Sequence, residues 1–144
     1  MHQGLLYTHS YLRYAVLILL IIVIVTSLMG WLGKKPYGST NNKLSLFLFI
    51  ATHSQLLLGL ILYVVSPNVQ FNGSTMKDAV IRYWTVEHST IMIIAVVLIT
   101  MARITAKKLT ADEAKHKRLF IFNALALLLI LAGIAMSGRG IINL

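Results

Sequence analysis

Four apolar runs, each about as long as a membrane is thick, constrain this chain more than any other feature. They are Leu12 to Leu32, built on AVLILLIIVIVTSLMGWL, and Leu44 to Val65, LSLFLFIATHSQLLLGLILYVV. The third extends from about Val80 to Ala102 and is strongest in IMIIAVVLITMA; the fourth is Leu119 to Met136, LFIFNALALLLILAGIAM. A helix of about 20 residues crosses a hydrocarbon layer about 30 Å thick. A soluble chain of 144 residues cannot bury four such helices, because no amphipathic elements remain to cover them. Composition agrees: 12% of residues are charged and 58% hydrophobic, where a soluble domain carries about 25% charged residues. A water-soluble enzyme domain and a disordered basic tail are both excluded. There is no cysteine, so disulfides, thiolate metal sites and cysteine nucleophiles are excluded too.

The expected fold is all-α, an integral membrane four-helix bundle with up-down-up-down topology. It forms one transmembrane domain over residues 1–144, with helices at about 5–32, 43–65, 75–105 and 111–137. The first run is too long for a signal peptide and lacks a small-residue cleavage pattern, so it reads as a retained helix. Short turn-rich joints favour antiparallel neighbours: Lys34 to Lys43 contains Pro36 and Gly38, and SPNVQFNGS (Ser66 to Ser74) breaks the second helix at Pro67. Ser74 offers a start signal for the third helix, and Thr110 with Glu113 fits a capping box for the fourth.

Four crossings put both termini on one side, and the charge is distributed unequally between the sides. The first and third joints hold Lys34, Lys35, Lys43, Arg103, Lys107, Lys108, Lys115, Lys117 and Arg118 against Asp112 and Glu113, a net +7. The terminal side holds Arg13, Lys77, Arg82 and Arg139 against Asp78 and Glu87, a net +2. The positive-inside rule then places both termini outside the cytoplasm of a bacterial inner membrane. Anionic lipid head groups account for the basic rim, and nucleic acid is not an expected partner.

Of the five histidines, four fall one to a helix: His9, His53, His88 and His116. Ionisable groups within membrane segments are costly and point to function. A satisfied polar contact is the plainer reading of any one of them. As a set, they suit axial ligation of haem iron across a bundle core. By side of approach they pair as His9 with His88 and His53 with His116. Counting about 1.5 Å per residue leaves a depth mismatch on the order of 15 Å within each pair. A single central site from His53 and His88 is the alternative. Arg13, four residues after His9, shares its face and suits a haem propionate or a snorkelling anchor. Ser10, Ser54 and Ser89 follow helix histidines. Gly30, Gly59 and Gly133 allow close approach of a flat ring or of a second helix. Gln55 and Asn123 are polar groups within the spans that suit a ligand such as a quinone head group, or each other. No HExxH motif, phosphate loop or serine–histidine–acid set appears, so the chain reads as an electron carrier or a quinone-linked oxidoreductase with no assigned catalytic residue.

The stretches HSYLRY (His9 to Tyr14), THSQLLLGLILY (Thr52 to Tyr63), EHSTIMIIAVVLIT (Glu87 to Thr100) and KHKRLFIFNALALLLILAG (Lys115 to Gly133) carry a resemblance. Over nearly its whole length the chain resembles small four-helix membrane proteins of Bacteroidota labelled cytochrome b, b-type haem proteins of a cytochrome b561-like plan. The resemblance implies an inner-membrane location and one or two b-type haems, with His9, His53, His88 and His116 as axial ligands. It also implies electron exchange with a quinone or a membrane redox partner protein. No partner-enzyme motif identifies donor or acceptor. Homodimerisation fits the small volume that four helices enclose. A haem-free structural or assembly subunit of a respiratory complex is the alternative function.

Overall fold

The computed structural model describes residues 2–65, 69, 71–72 and 77–136. Four long helices account for nearly all of them, and there is no strand among the described residues. Helix α1 is His2–Leu32 and α2 is Ser39–Val65. Helix α3, residues 79–108, contains a widened π turn at Tyr83–Glu87 between Ala79–Arg82 and His88–Lys108. Helix α4 is Asp112–Met136. All four are long and apolar enough to cross a membrane.

The residues at the helix ends explain where each begins and stops. Asp78 caps α3: its Oδ1 accepts the N–H of Val80 at 3.0 Å and of Ile81 at 3.2 Å, satisfying two otherwise unpaired donors. That start is later than the expected residue 75, and Ser74 lies outside the described residues. Helix α1 ends in a Schellman motif, with the Lys35 N–H on the Gly30 carbonyl at 2.9 Å and the Lys34 N–H on the Trp31 carbonyl at 3.4 Å. Lys34 takes the left-handed position at φ 52°, where glycine is usual. Helix α2 begins at Ser39, earlier than the expected residue 43, because Asn41 Oδ1 accepts the Gly38 N–H at 3.0 Å and starts the turn there. Helix α4 begins at Asp112, so Thr110 stands before the cap position and not in the expected capping box.

The helices form a four-sided bundle. Helices α3 and α4 share the most extensive interface, α1 packs nearly as fully on α2 and on α4, and the α2–α3 side is thinnest. Helix α1 therefore lies diagonally opposite α3, and α2 opposite α4. Buried positions on α4 are His116, Leu119, Asn123, Ala126, Ile130 and Gly133, a repeat alternating by three and four that keeps one stripe on its neighbours. Ala95, Ala102 and Ala106 of α3 meet it with small side chains, so the two backbones come close. Val16, Leu17, Leu20 and Val23 of α1 and Leu48 of α2 complete the apolar core.

Outside the core the pattern of a soluble protein is inverted. Ile18, Val25, Leu57, Val64, Val97 and Leu128 are exposed, whereas Ser27, Thr52, Arg103, His116 and Asn123 are buried. Surfaces of this kind suit contact with lipid or with other membrane-embedded surfaces. Arg103, expected on the basic rim, is instead buried: its Nη1 donates to the Asn42 carbonyl at 3.2 Å, joining α3 to the start of α2.

Candidate functional site

Helix α1 is 31 residues long, about 46 Å at 1.5 Å per residue, and so outreaches the hydrocarbon layer. His9 therefore lies inside the helix rather than beyond its end. On α3, His88 follows the π turn at the same end of the bundle. The two expected partners, from diagonally opposed helices, line one cavity of about 850 Å³. Such a volume is within the range of about 300–1,000 Å³ usual for small-molecule and cofactor sites. Sequence counting put the two at different depths; in the structure both border the same cavity.

The cavity wall is mostly apolar, with Leu17, Leu56, Met92 and Ile130 among its residues, and polar groups line it near both His9 and His88. Gln55 Nε2 donates to the His9 carbonyl at 2.8 Å, tying α2 to α1. Arg13 lines the same cavity and donates through Nη2 to Tyr14 Oη at 3.1 Å. Among the lining atoms buried without a hydrogen-bond partner are His9 Nδ1, Thr52 Oγ1 and Gln55 Oε1. Each such atom costs about 1–3 kcal/mol if nothing meets it. A polar group entering that space, a water molecule included, would meet them. Gly59 makes room for His9, since a Cβ there would stand 3.3 Å from His9 Cε1.

His88 is set by the π turn. In this turn the His88 N–H bonds to the Tyr83 carbonyl five residues back, and the widened turn brings the Tyr83 and His88 side chains together. Their ring centroids are 5.7 Å apart. Tyr83 Oη donates to the Gly133 carbonyl at 2.7 Å and lies 3.4 Å from His88 Nδ1. With its proton committed to Gly133, the hydroxyl faces His88 as an acceptor, which favours Nδ1–H and puts the ring's lone pair on Nε2. Tyr63 Oη donates to the Thr85 carbonyl inside the same turn at 2.9 Å. Glu87, beside His88 in sequence, pairs instead with Arg82 at 2.7 Å.

His53 and His116 have separate surroundings. His53 Nδ1 donates to the Phe49 carbonyl at 2.8 Å, and its ring packs on Phe49 at 4.2 Å. Its Nε2 is 3.4 Å from Thr100 Oγ1, whose proton goes to the Val96 carbonyl at 2.7 Å. His116, expected at the membrane edge, is only 1% exposed. Its Nε2 donates to the Lys35 carbonyl at 3.0 Å, and its ring presses on Gly30 so closely that an added Cβ would fall 2.4 Å from Cε1. Tyr37 packs on the same ring at 5.4 Å. Burial raises the Tyr37 pKa above its ordinary value, an effect that Arg103 partly offsets, so the phenol is neutral near pH 7. The flat rings received by Gly30 and Gly59 are thus imidazoles of this chain.

Sequence reasoning named His9, His88, Arg13 and Gln55, but not Thr52, and gave Tyr83 no part in the site. The π turn that gives Tyr83 its position has no sequence signature. Among the described residues no three His, Cys, Asp or Glu side chains gather as a bare-metal site. A haem iron asks for two imidazoles, and the residues present fit one: two histidines on one cavity, an unmet His9 nitrogen and a guanidinium beside it. No family model matches the chain, and no curated protein or solved structure matches it.

Proposed function

We propose that this chain is a b-type haem-binding electron-transfer protein of the bacterial inner membrane, with both termini on the non-cytoplasmic side. The observation that carries the reading is the convergence of His9 and His88, from opposed helices, on a cavity where buried polar atoms such as His9 Nδ1, Thr52 Oγ1 and Gln55 Oε1 are unmet. Haem, when bound, supplies the one-electron couple. His9 and His88 hold the iron, Arg13 pairs with a propionate, and Tyr83 fixes the tautomer of His88 through its Nδ1. The apolar wall excludes water and lowers the local dielectric. Electrons pass to or from a quinone or a membrane partner protein, and the chain acts as a carrier without a catalytic residue of its own.

Reduced-minus-oxidised spectra and a pyridine haemochrome assay on detergent-purified protein test this reading. About one haem b per chain is expected, lost in His9→Ala and in His88→Ala. Absence of a b-type signal under adequate haem supply, or full haem in both variants, overturns it. If His53→Ala or His116→Ala loses haem at unchanged stability, the ligand set extends to them and a second haem is in play. A haem-free structural or assembly subunit of a respiratory complex is the second reading. The binding of His116 to the Lys35 carbonyl favours it, since there a histidine ties α4 to the loop between α1 and α2.

A further inference from the structure

At the opposite end of the bundle, an open groove of about 500 Å³ lies beside the α3–α4 connection. Its walls are Leu109, at the end of α3, and Ala114, Lys117, Arg118, Ile121 and Phe122 of α4. The α4 residues fall at i, i+3, i+4, i+7 and i+8, so they share one helix face. That face carries a basic pair at the rim and an apolar pair one turn deeper. The basic groups rest on aromatic rings: Arg118 Cζ is 5.3 Å from the Phe122 ring centroid, and Lys117 Nζ is 5.8 Å from that of Trp31. Among the described residues the ion pair within 4 Å is Arg82–Glu87, so Lys117 and Arg118 are not neutralised by Asp112 or Glu113. A cation pair fixed over an apolar channel is complementary to a phosphate that carries an acyl chain.

We propose that this groove binds one anionic phospholipid, with its phosphate at Lys117 and Arg118 and an acyl chain along Ile121 and Phe122. The site differs from diffuse attraction to the basic rim. Lys107 and Lys108 stand exposed at the end of α3 and carry the same charge, but they do not line this groove.

The test is native mass spectrometry of delipidated full-length protein titrated with phosphatidylglycerol or phosphatidylcholine. Wild type is expected to retain one phosphatidylglycerol and to prefer it over phosphatidylcholine. Lys117→Gln with Arg118→Gln is expected to weaken that binding about thirtyfold, roughly fivefold per basic residue. Lys107→Gln with Lys108→Gln, an equal loss of charge, is expected to leave it nearly unchanged. Phe122→Ala weakens it as well, and glycerol phosphate does not compete. If the double variant does not fold, each single substitution is expected to weaken binding about fivefold. Equal losses in the two lysine–arginine and lysine–lysine pairs, no preference between the lipids, or competition by glycerol phosphate would each overturn the proposal.

Discussion

Substituting Gly30 by alanine adds one methyl group where α1 meets His116. The new Cβ would lie 2.4 Å from Cε1, 2.5 Å from Nδ1 and 2.6 Å from Nε2 of that ring. Ordinary carbon contacts are about 3.5–4.0 Å, so the ring must retreat by about 1 Å. A retreat of that size takes the 3.0 Å bond to the Lys35 carbonyl beyond hydrogen-bonding range. Overpacking costs about 1–3 kcal/mol, and a buried N–H without an acceptor costs about 1–3 kcal/mol more. Alanine returns up to about 1 kcal/mol of helix propensity. The net expectation is a loss of about 2–4 kcal/mol, read from helix content during unfolding in mixed dodecyl maltoside and SDS micelles. Gly4 is the internal control: it lies in the same helix with nothing within 4 Å of an added Cβ, so Gly4→Ala is expected to be neutral or slightly stabilising. In a His116→Ala background the clash disappears, and Gly30→Ala then follows Gly4→Ala. If the two glycine substitutions behave alike in the wild-type background, His116 is not the strut described above.

Three other substitutions test the remaining contacts. Gly59→Leu pushes His9 off its seat, and should cut haem content severalfold with little change in helix content by circular dichroism; unchanged haem would argue against His9 as a ligand. Tyr83→Phe removes the 2.7 Å bond to Gly133 and the acceptor facing His88, so a stability loss of about 1–2 kcal/mol and a shifted midpoint potential are expected. A lost bond with an unmoved potential would make Tyr83 structural only. Lys34→Gly relieves the left-handed strain at φ 52° and should stabilise the protein by about 0.5–1 kcal/mol in the same micelle assay.

The four crossings, the antiparallel order and the charge asymmetry were all legible in the sequence, because each follows from the local length and kind of a run. Chemistry at depth was less legible. His9 lies ahead of the apolar run, yet it is well inside the helix, which begins at His2 rather than near residue 5. Arg103 reads as a rim charge by its distance from the centre of α3, yet it turns inward to the Asn42 carbonyl. Which way a side chain faces depends on the neighbouring helix, and hydropathy along one helix carries no information about the next. The π turn at Tyr83–Glu87 is the extreme case. It rotates everything before it relative to His88, and it is stabilised by bonds from other helices: Tyr63 to Thr85, and Tyr83 to Gly133.

The four histidines, alike in sequence, are separated by what each ring nitrogen meets. His116 gives its Nε2 proton to a loop carbonyl and has its ring covered by Gly30, so approach to the ring is closed. His53 commits Nδ1 to its own helix, and its Nε2 faces a hydroxyl whose proton is engaged elsewhere. His88 has Nδ1 beside the Tyr83 hydroxyl and borders open volume, while His9 borders the same volume with Nδ1 unmet. A ligand needs both a lone pair and space in front of it. In this bundle that space lies beside the thin α2–α3 interface, where Thr52, Gln55 and Gly59 of α2 stand across from His88 and Ser89 of α3. Close packing of α3 on α4 and of α1 on both neighbours leaves the fourth side as the place where a cofactor can be held without being crushed.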